Sequence, residues 1–184
     1  MLPTKEKLIN HLLINPLRCK NIISPKARLY KDNIFCGFVM RYVRNSKSIS
    51  KYTEDDSIDI DKRINYIYSL DSALNHLHKK NIVYGDIHQG NIILTDKDAF
   101  LVDIDSIKIN EISDELRPLF HLKDFNRDIA IKNETKNTDI IKMNLMYLSL
   151  LYHCDFETLY LKTGLKFIRD VVSVLKLPRY IKEE

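Results

Sequence analysis

The 184 residues are 45% hydrophobic and 29% charged, enough for one domain whose core buries roughly 70% of the surface the unfolded chain would expose. Lys and Arg number 29 against 25 Asp and Glu, and the resulting net charge of +4 is too thin an excess to argue for nucleic acid. Three separated cysteines, Cys19, Cys36 and Cys154, make neither a disulfide framework nor a zinc spacing and read as free thiols in a reducing compartment. The amino-terminal stretch lacks a long apolar run and a small-residue cleavage site. The most apolar run, 145–152, falls far short of the ~20 residues a membrane span needs. The expectation is a cytoplasmic single domain with no membrane and no nucleic-acid partner.

In chain order, residues 4–14 place Leu8, Ile9, Leu12 and Leu13 on one helical face, with Thr4 as the expected N-cap and Asn15-Pro16 as the stop. Two strands are expected around 27–30 and 35–43, joined by the polar turn Lys31-Asp32-Asn33. Residues 44–61 run from basic to acidic and read as a solvated loop entering a helix. From Ile60 to Lys79 apolar residues recur every three or four positions, the strongest helical signal in the chain. Runs at 92–94 and 100–104 flank the turn 95–98 as a small hairpin. Residues 105–138 are mixed, with little periodicity. Ile140 to Tyr152 is apolar almost all round, which predicts a buried helix, and one more helix is expected over about 156–175, closed by Pro178. A few strands followed mostly by helix place the chain in the α+β class.

The stretch 81–109 carries the chemistry. Phosphoryl transfer needs a carboxylate to orient and deprotonate the attacking hydroxyl, and oxygen ligands for the magnesium that bridges the phosphates. Asp86 and Asn91, five apart across a loop, can offer a carboxylate and an amide oxygen to one point, and Asp103 returns to it from the far strand of the hairpin. His76 and His78 lie two apart on a helix and point to different faces, so packing or solvent accounts for them better than a metal. Asp105 reads as a residue that holds its loop rather than as a further ligand.

Taken in order, these residues resemble the protein-kinase-like superfamily. Tyr84-Gly85-Asp86 stands where the H-R-D triplet lies, Asp86 to Asn91 reproduces D-x-x-x-x-N, and Val102-Asp103-Ile104-Asp105 takes the place of D-F-G. Thr138-Asp139 matches the Asp that ties a buried helix to the catalytic loop. The resemblance spans about residues 4–152. It implies a protein-kinase-like fold: a reduced N-terminal lobe over 1–43, with one helix, two strands and a hinge, and a mainly helical C-terminal lobe over 44–184 that holds the catalytic loop.

It further implies ATP and Mg2+ as the phosphate source, with Asp86 as catalytic base and His88 in the place of a Lys near the transferred phosphate. Asn91 and Asp103 are then the magnesium ligands. Met40 is the gatekeeper, the Arg41 carbonyl and Val43 N–H face adenine, and Ile93 floors its pocket. The Y-G-D-x-x-x-G-N form is also similar to aminoglycoside and choline kinases. D-I-D-S together with G-F-V-M-R-Y-V is more similar to divergent bacterial protein kinases.

The superfamily places a glycine-rich strand pair and a strand Lys ahead of its first helix. Here the four glycines are Gly37, Gly85, Gly90 and Gly164, none early enough for such a loop, and Lys5 and Lys7 lie in the helix. Glu6 stands as the helix Glu without its strand Lys. Gly85 replaces the Arg that would read a phosphorylated activation loop, and 105–138 contains no A-P-E. The reading is an ATP-dependent phosphotransferase acting on a hydroxyl, a protein Ser or Thr favoured over a small molecule. Its alternative is a pseudokinase that binds nucleotide or regulates a partner. A partner chain that completes the N-terminal lobe is a third expectation.

Overall fold

The computed structural model describes residues 3–52, 58–109, 123–124, 129–130 and 133–164. Helix α1 (Pro3–Ile14) opens on a proline, whose fixed φ and missing N–H suit a first helical turn, so Thr4 lies inside the helix rather than capping it. Leu8, Ile9 and Leu12 are its buried face. Strands β1 (Pro25–Lys31) and β2 (Ile34–Met40) form an antiparallel ribbon. Their two-residue link, Asp32-Asn33, has φ of 49° and 63°, the doubly positive turn whose twist matches paired strands. The second strand ends at Met40 rather than Val43, because residues 41–46 leave the ribbon and carry no strand.

Within the polar stretch 44–61, the described residues form more than a loop. It contains β3 (Lys47–Ser48) and α2 (Ile49–Tyr52), with Ile49 and Tyr52 buried. Helix α3 (Ile60–Lys79) has the bounds that its periodicity predicts, and the Asp59 carboxylate caps it by accepting from Lys62 N–H at 2.8 Å. Leu70, Ala73, Leu74 and Leu77 are buried along one stripe. Truncating a leucine in such a position costs about 2–5 kcal/mol.

Strand β4 (Ile82–Val83) pairs with β7 (Lys108–Ile109). The hairpin of β5 (Ile92–Leu94) and β6 (Ala99–Leu101) carries β3 on its outer edge. The sixth strand stops at Leu101, and Ile104 enters a 3-10 turn instead of extending it. Strands β8 (Lys123–Asp124) and β9 (Ile129–Ala130) pair with each other.

Helix α4 (Lys136–Tyr152) begins four residues before the apolar run, because Thr135 and Thr138 close a reciprocal capping box. It is one-faced: Met143, Met146 and Leu150 are buried, whereas Ile140 is 46% exposed. A last helix, α5, covers 156–164; the rest of the expected 156–175 helix and Pro178 lie outside the described residues. Helices α3, α4 and α5 and the β5–β6 hairpin enclose the main core. Helix α1 packs on the β1–β2 ribbon and against the turn at 104–106. The result is an α+β fold with a small helix-and-ribbon N-terminal unit and a mainly helical remainder.

Candidate active site

The loop from Tyr84 to Asn91 joins β4 to β5 and is pinned from beneath by α4. Buried Asp139 accepts from Tyr84 N–H at 2.8 Å on one carboxylate oxygen and from Gly85 N–H at 2.7 Å on the other. The His78 ring lies 2.9 Å from the first of these oxygens. One turn further along α4, Lys142 donates to the Gly85 carbonyl at 2.7 Å and pairs with Glu134 at 2.9 Å, both side chains buried. Thr138 donates to the second Glu134 oxygen at 2.8 Å. Gly85 has φ of 77°, a conformation that glycine adopts without strain, and both of its peptide groups are held by α4.

This anchorage fixes the backbone immediately before Asp86. Asn91 donates from its side-chain amide to the Asp86 carbonyl at 2.9 Å and to its carboxylate at 3.1 Å. His88 Nε2 lies 3.8 Å from the same carboxylate oxygen, while His88 Nδ1 accepts from Gly90 N–H at 3.0 Å. A Cβ at Gly90 would stand 2.8 Å from the His88 ring, so this close approach requires glycine. Gln89 ties the loop to the start of α5: its N–H donates to Glu157 at 2.8 Å and its side chain to Asp155. Burial raises the Glu157 pKa. Asp86, His88 and Asn91 thus gather on one short loop.

Asp103 reaches the same region from β6. Val102 N–H donates to the Asn91 carbonyl at 3.0 Å, and the Tyr84 hydroxyl donates to the Val102 carbonyl. Asp103 itself has φ of 55° and ψ of 47°, a left-handed conformation costing about 1–2 kcal/mol in most non-glycine residues. Its pKa is pushed up to about 6, first by burial, then by a hydrogen bond and charge from Asp105, with Asp86 adding to the rise and Lys5 opposing it. Buried Tyr84 has its pKa raised by burial and by the charges of Asp103, Asp86, Asp139 and Asp105. Lys5 of α1 forms an ion pair with Asp105. Glu6 accepts instead from the Tyr30 hydroxyl at 2.7 Å.

The donor set suits magnesium. The Asn91 amide group donates to Asp86, so its oxygen and the Asp103 carboxylate are the hard oxygens that would hold the ion. Magnesium commonly takes one or two protein oxygens and completes its shell with phosphate and water. Among the described residues no three His, Cys, Asp or Glu side chains gather into a metal site.

On the hinge side, Met40 is the last residue of β2, opposite Pro25. The Arg41 side chain turns away over the Phe100 ring, 5.2 Å from its centroid. The Val43 carbonyl accepts from the Ser46 hydroxyl at 2.9 Å. Ile93 sits between Ser48 of β3 and Phe100 of β6, half-buried and flanked by the buried Ile92 and Leu94. Strand alternation sends Ile93 to the opposite face from those two neighbours.

The family model for the protein kinase domain matches residues 5–113, more than half of the chain. The chain belongs to the protein kinase domain family. No curated protein matches it. The matched part of the kinase domain contains every expected site residue from Met40 to Asp103, while α4 with Asp139 and Lys142 follows it. Sequence reasoning reached Asp139 but missed the buried Lys142–Glu134 pair and the Lys5–Asp105 pair. A single available signal was Lys142, the one charged residue of the largely apolar run 140–152, three residues past Asp139. Among the described residues no helix of the kinase domain is long and apolar enough to cross a membrane.

Proposed function

We propose that this kinase domain transfers the γ-phosphate of ATP to a hydroxyl group, with a protein Ser or Thr as the preferred acceptor. One observation carries the reading: the Asp86 carboxylate is oriented by Asn91 at 3.1 Å on a loop whose preceding peptide is locked to buried Asp139. Asp86 accepts the proton of the attacking hydroxyl and aligns it. His88, 3.8 Å from Asp86, is placed to steady the transferred phosphate. Asn91 and Asp103 hold magnesium, which when bound neutralises the phosphate oxygens. Met40 and the Arg41–Val43 backbone receive the adenine, with Ile93 beneath it, in a cleft between an N-terminal lobe over 1–43 and a C-terminal lobe over 44–184.

A pseudokinase that binds nucleotide without turnover is the second reading. It draws on the Lys5–Asp105 pair, which already places a cation beside the acidic cluster. The test is transfer of labelled γ-phosphate from Mg-ATP to a pooled Ser/Thr peptide library, with Asp86→Asn in parallel. Under the proposal the wild-type protein labels peptide and the variant loses about 10²–10⁴-fold in rate, the usual worth of a positioned base. Nucleotide binding without label transfer by the wild-type protein would leave the pseudokinase reading in its place.

A further inference from the structure

We propose a second ligand site, adjoining the proposed nucleotide cleft at Arg41, that takes a small organic anion: an apolar body bearing a phosphate or a carboxylate. A cavity of about 350 Å³ opens along segment 16–26, between α1 and β1, with Arg41 on one side. That volume falls within the range of about 300–1,000 Å³ typical of small-molecule pockets. Every charged residue in its lining is basic: Arg18, Lys20, Lys26 and Arg41. Asp98 pairs with one of the four, Lys20, at 2.9 Å. Arg41 is braced over the Phe100 ring at 5.2 Å and donates from one guanidinium nitrogen to the Lys20 carbonyl at 3.5 Å, so its remaining N–H groups are fixed to meet an oxyanion.

Ser24 belongs to the same lining, and its hydroxyl is buried without a hydrogen-bond partner. That oxygen is closed off from solvent, so it lies behind the cavity wall rather than on it. Leu17 and Ile23 supply buried apolar surface for the body of the ligand. The wall is also held in place by β6. Leu101 N–H donates to the Asn21 carbonyl at 2.9 Å, Ile23 N–H donates to the Leu101 carbonyl at 2.9 Å, and the Asn21 side chain donates to the Ala99 carbonyl at 2.8 Å. Basic rim and apolar floor meet in one preformed cavity.

The experiment is a nucleotide-free amide NMR titration of the full chain with phenyl phosphate and, separately, phenylacetate, with inorganic phosphate as the bare anion. The absence of nucleotide keeps its outcome independent of the phosphotransferase reading. Saturable shifts are expected at the amides of 18–24 and of Lys26, at least tenfold weaker in affinity in the Arg18→Glu/Lys26→Glu double variant, whose two side chains are exposed. The tighter of the two probes identifies the head group. Absence of saturable shifts at these amides with both probes would overturn the proposal. So would an unchanged affinity in the double variant, or inorganic phosphate binding as tightly as phenyl phosphate.

Discussion

Lys5 on α1 pairs with Asp105, two residues past Asp103, so the first helix places a positive charge on the acidic cluster of the candidate active site. That charge holds the Asp103 pKa lower than burial, Asp105 and Asp86 would otherwise set it. Lys5→Met should therefore move the Asp103 titration above about 6, read by carboxyl carbon NMR. The variant should also lose stability, because Asp105 is only 8% exposed and is left without its cation. An unchanged or lowered Asp103 pKa would contradict the coupling.

Asp103 also makes stability depend on pH in a defined direction. Its pKa rises from 3.8 to about 6 on folding, so between those values the folded state binds the proton more tightly than the unfolded chain. The contribution of this group is present in full below pH 3.8 and is lost as pH rises through about 6. Asp103→Asn, which cannot ionise, should therefore gain stability relative to the wild-type protein as pH is raised from 4 towards 7. Paired denaturant titrations in magnesium-free buffer check this, and a stability difference that is flat or falls with pH would count against it.

The helices were legible where burial imposed a period. Leu70, Leu74 and Leu77 recur along α3 because that stripe faces the core, and the helix bounds followed from it. The start of α4 was hidden because its first turn, Lys136 to Asp139, is polar and is held by a cap and by the loop from Tyr84 to Asn91 rather than by apolar packing. The end of β2 was overrun because Arg41, Tyr42 and Val43 continue a strand-like composition after the chain has left the ribbon. Within the site, Asp86 and Asn91 could be read from their local spacing. The Lys5–Asp105 pair joins residues far apart in sequence, and no local pattern records such a contact. Glu134 and Lys142 lie eight apart, but only folding shows that both are buried beneath Gly85.

That buried pair should behave as a unit. Lys142→Met leaves Glu134 buried without its cation and removes a donor from the Gly85 carbonyl, and should cost about 3–5 kcal/mol. Adding Glu134→Gln removes the stranded charge and should recover part of that loss. Denaturant unfolding of the two single variants and the double variant measures the coupling. Additive losses would show that the two side chains do not act together.

The most direct test of the phosphotransferase account is the thermal melting shift with Mg-ATP, run beside Asp103→Asn. Ligand at 100 times its dissociation constant adds about 2.7 kcal/mol, or roughly 5–10 °C for a domain of this size. The account predicts a shift of that order that requires magnesium and disappears in the variant. A wild-type protein whose melting is unmoved by saturating Mg-ATP, or a shift that survives intact in Asp103→Asn, would contradict it.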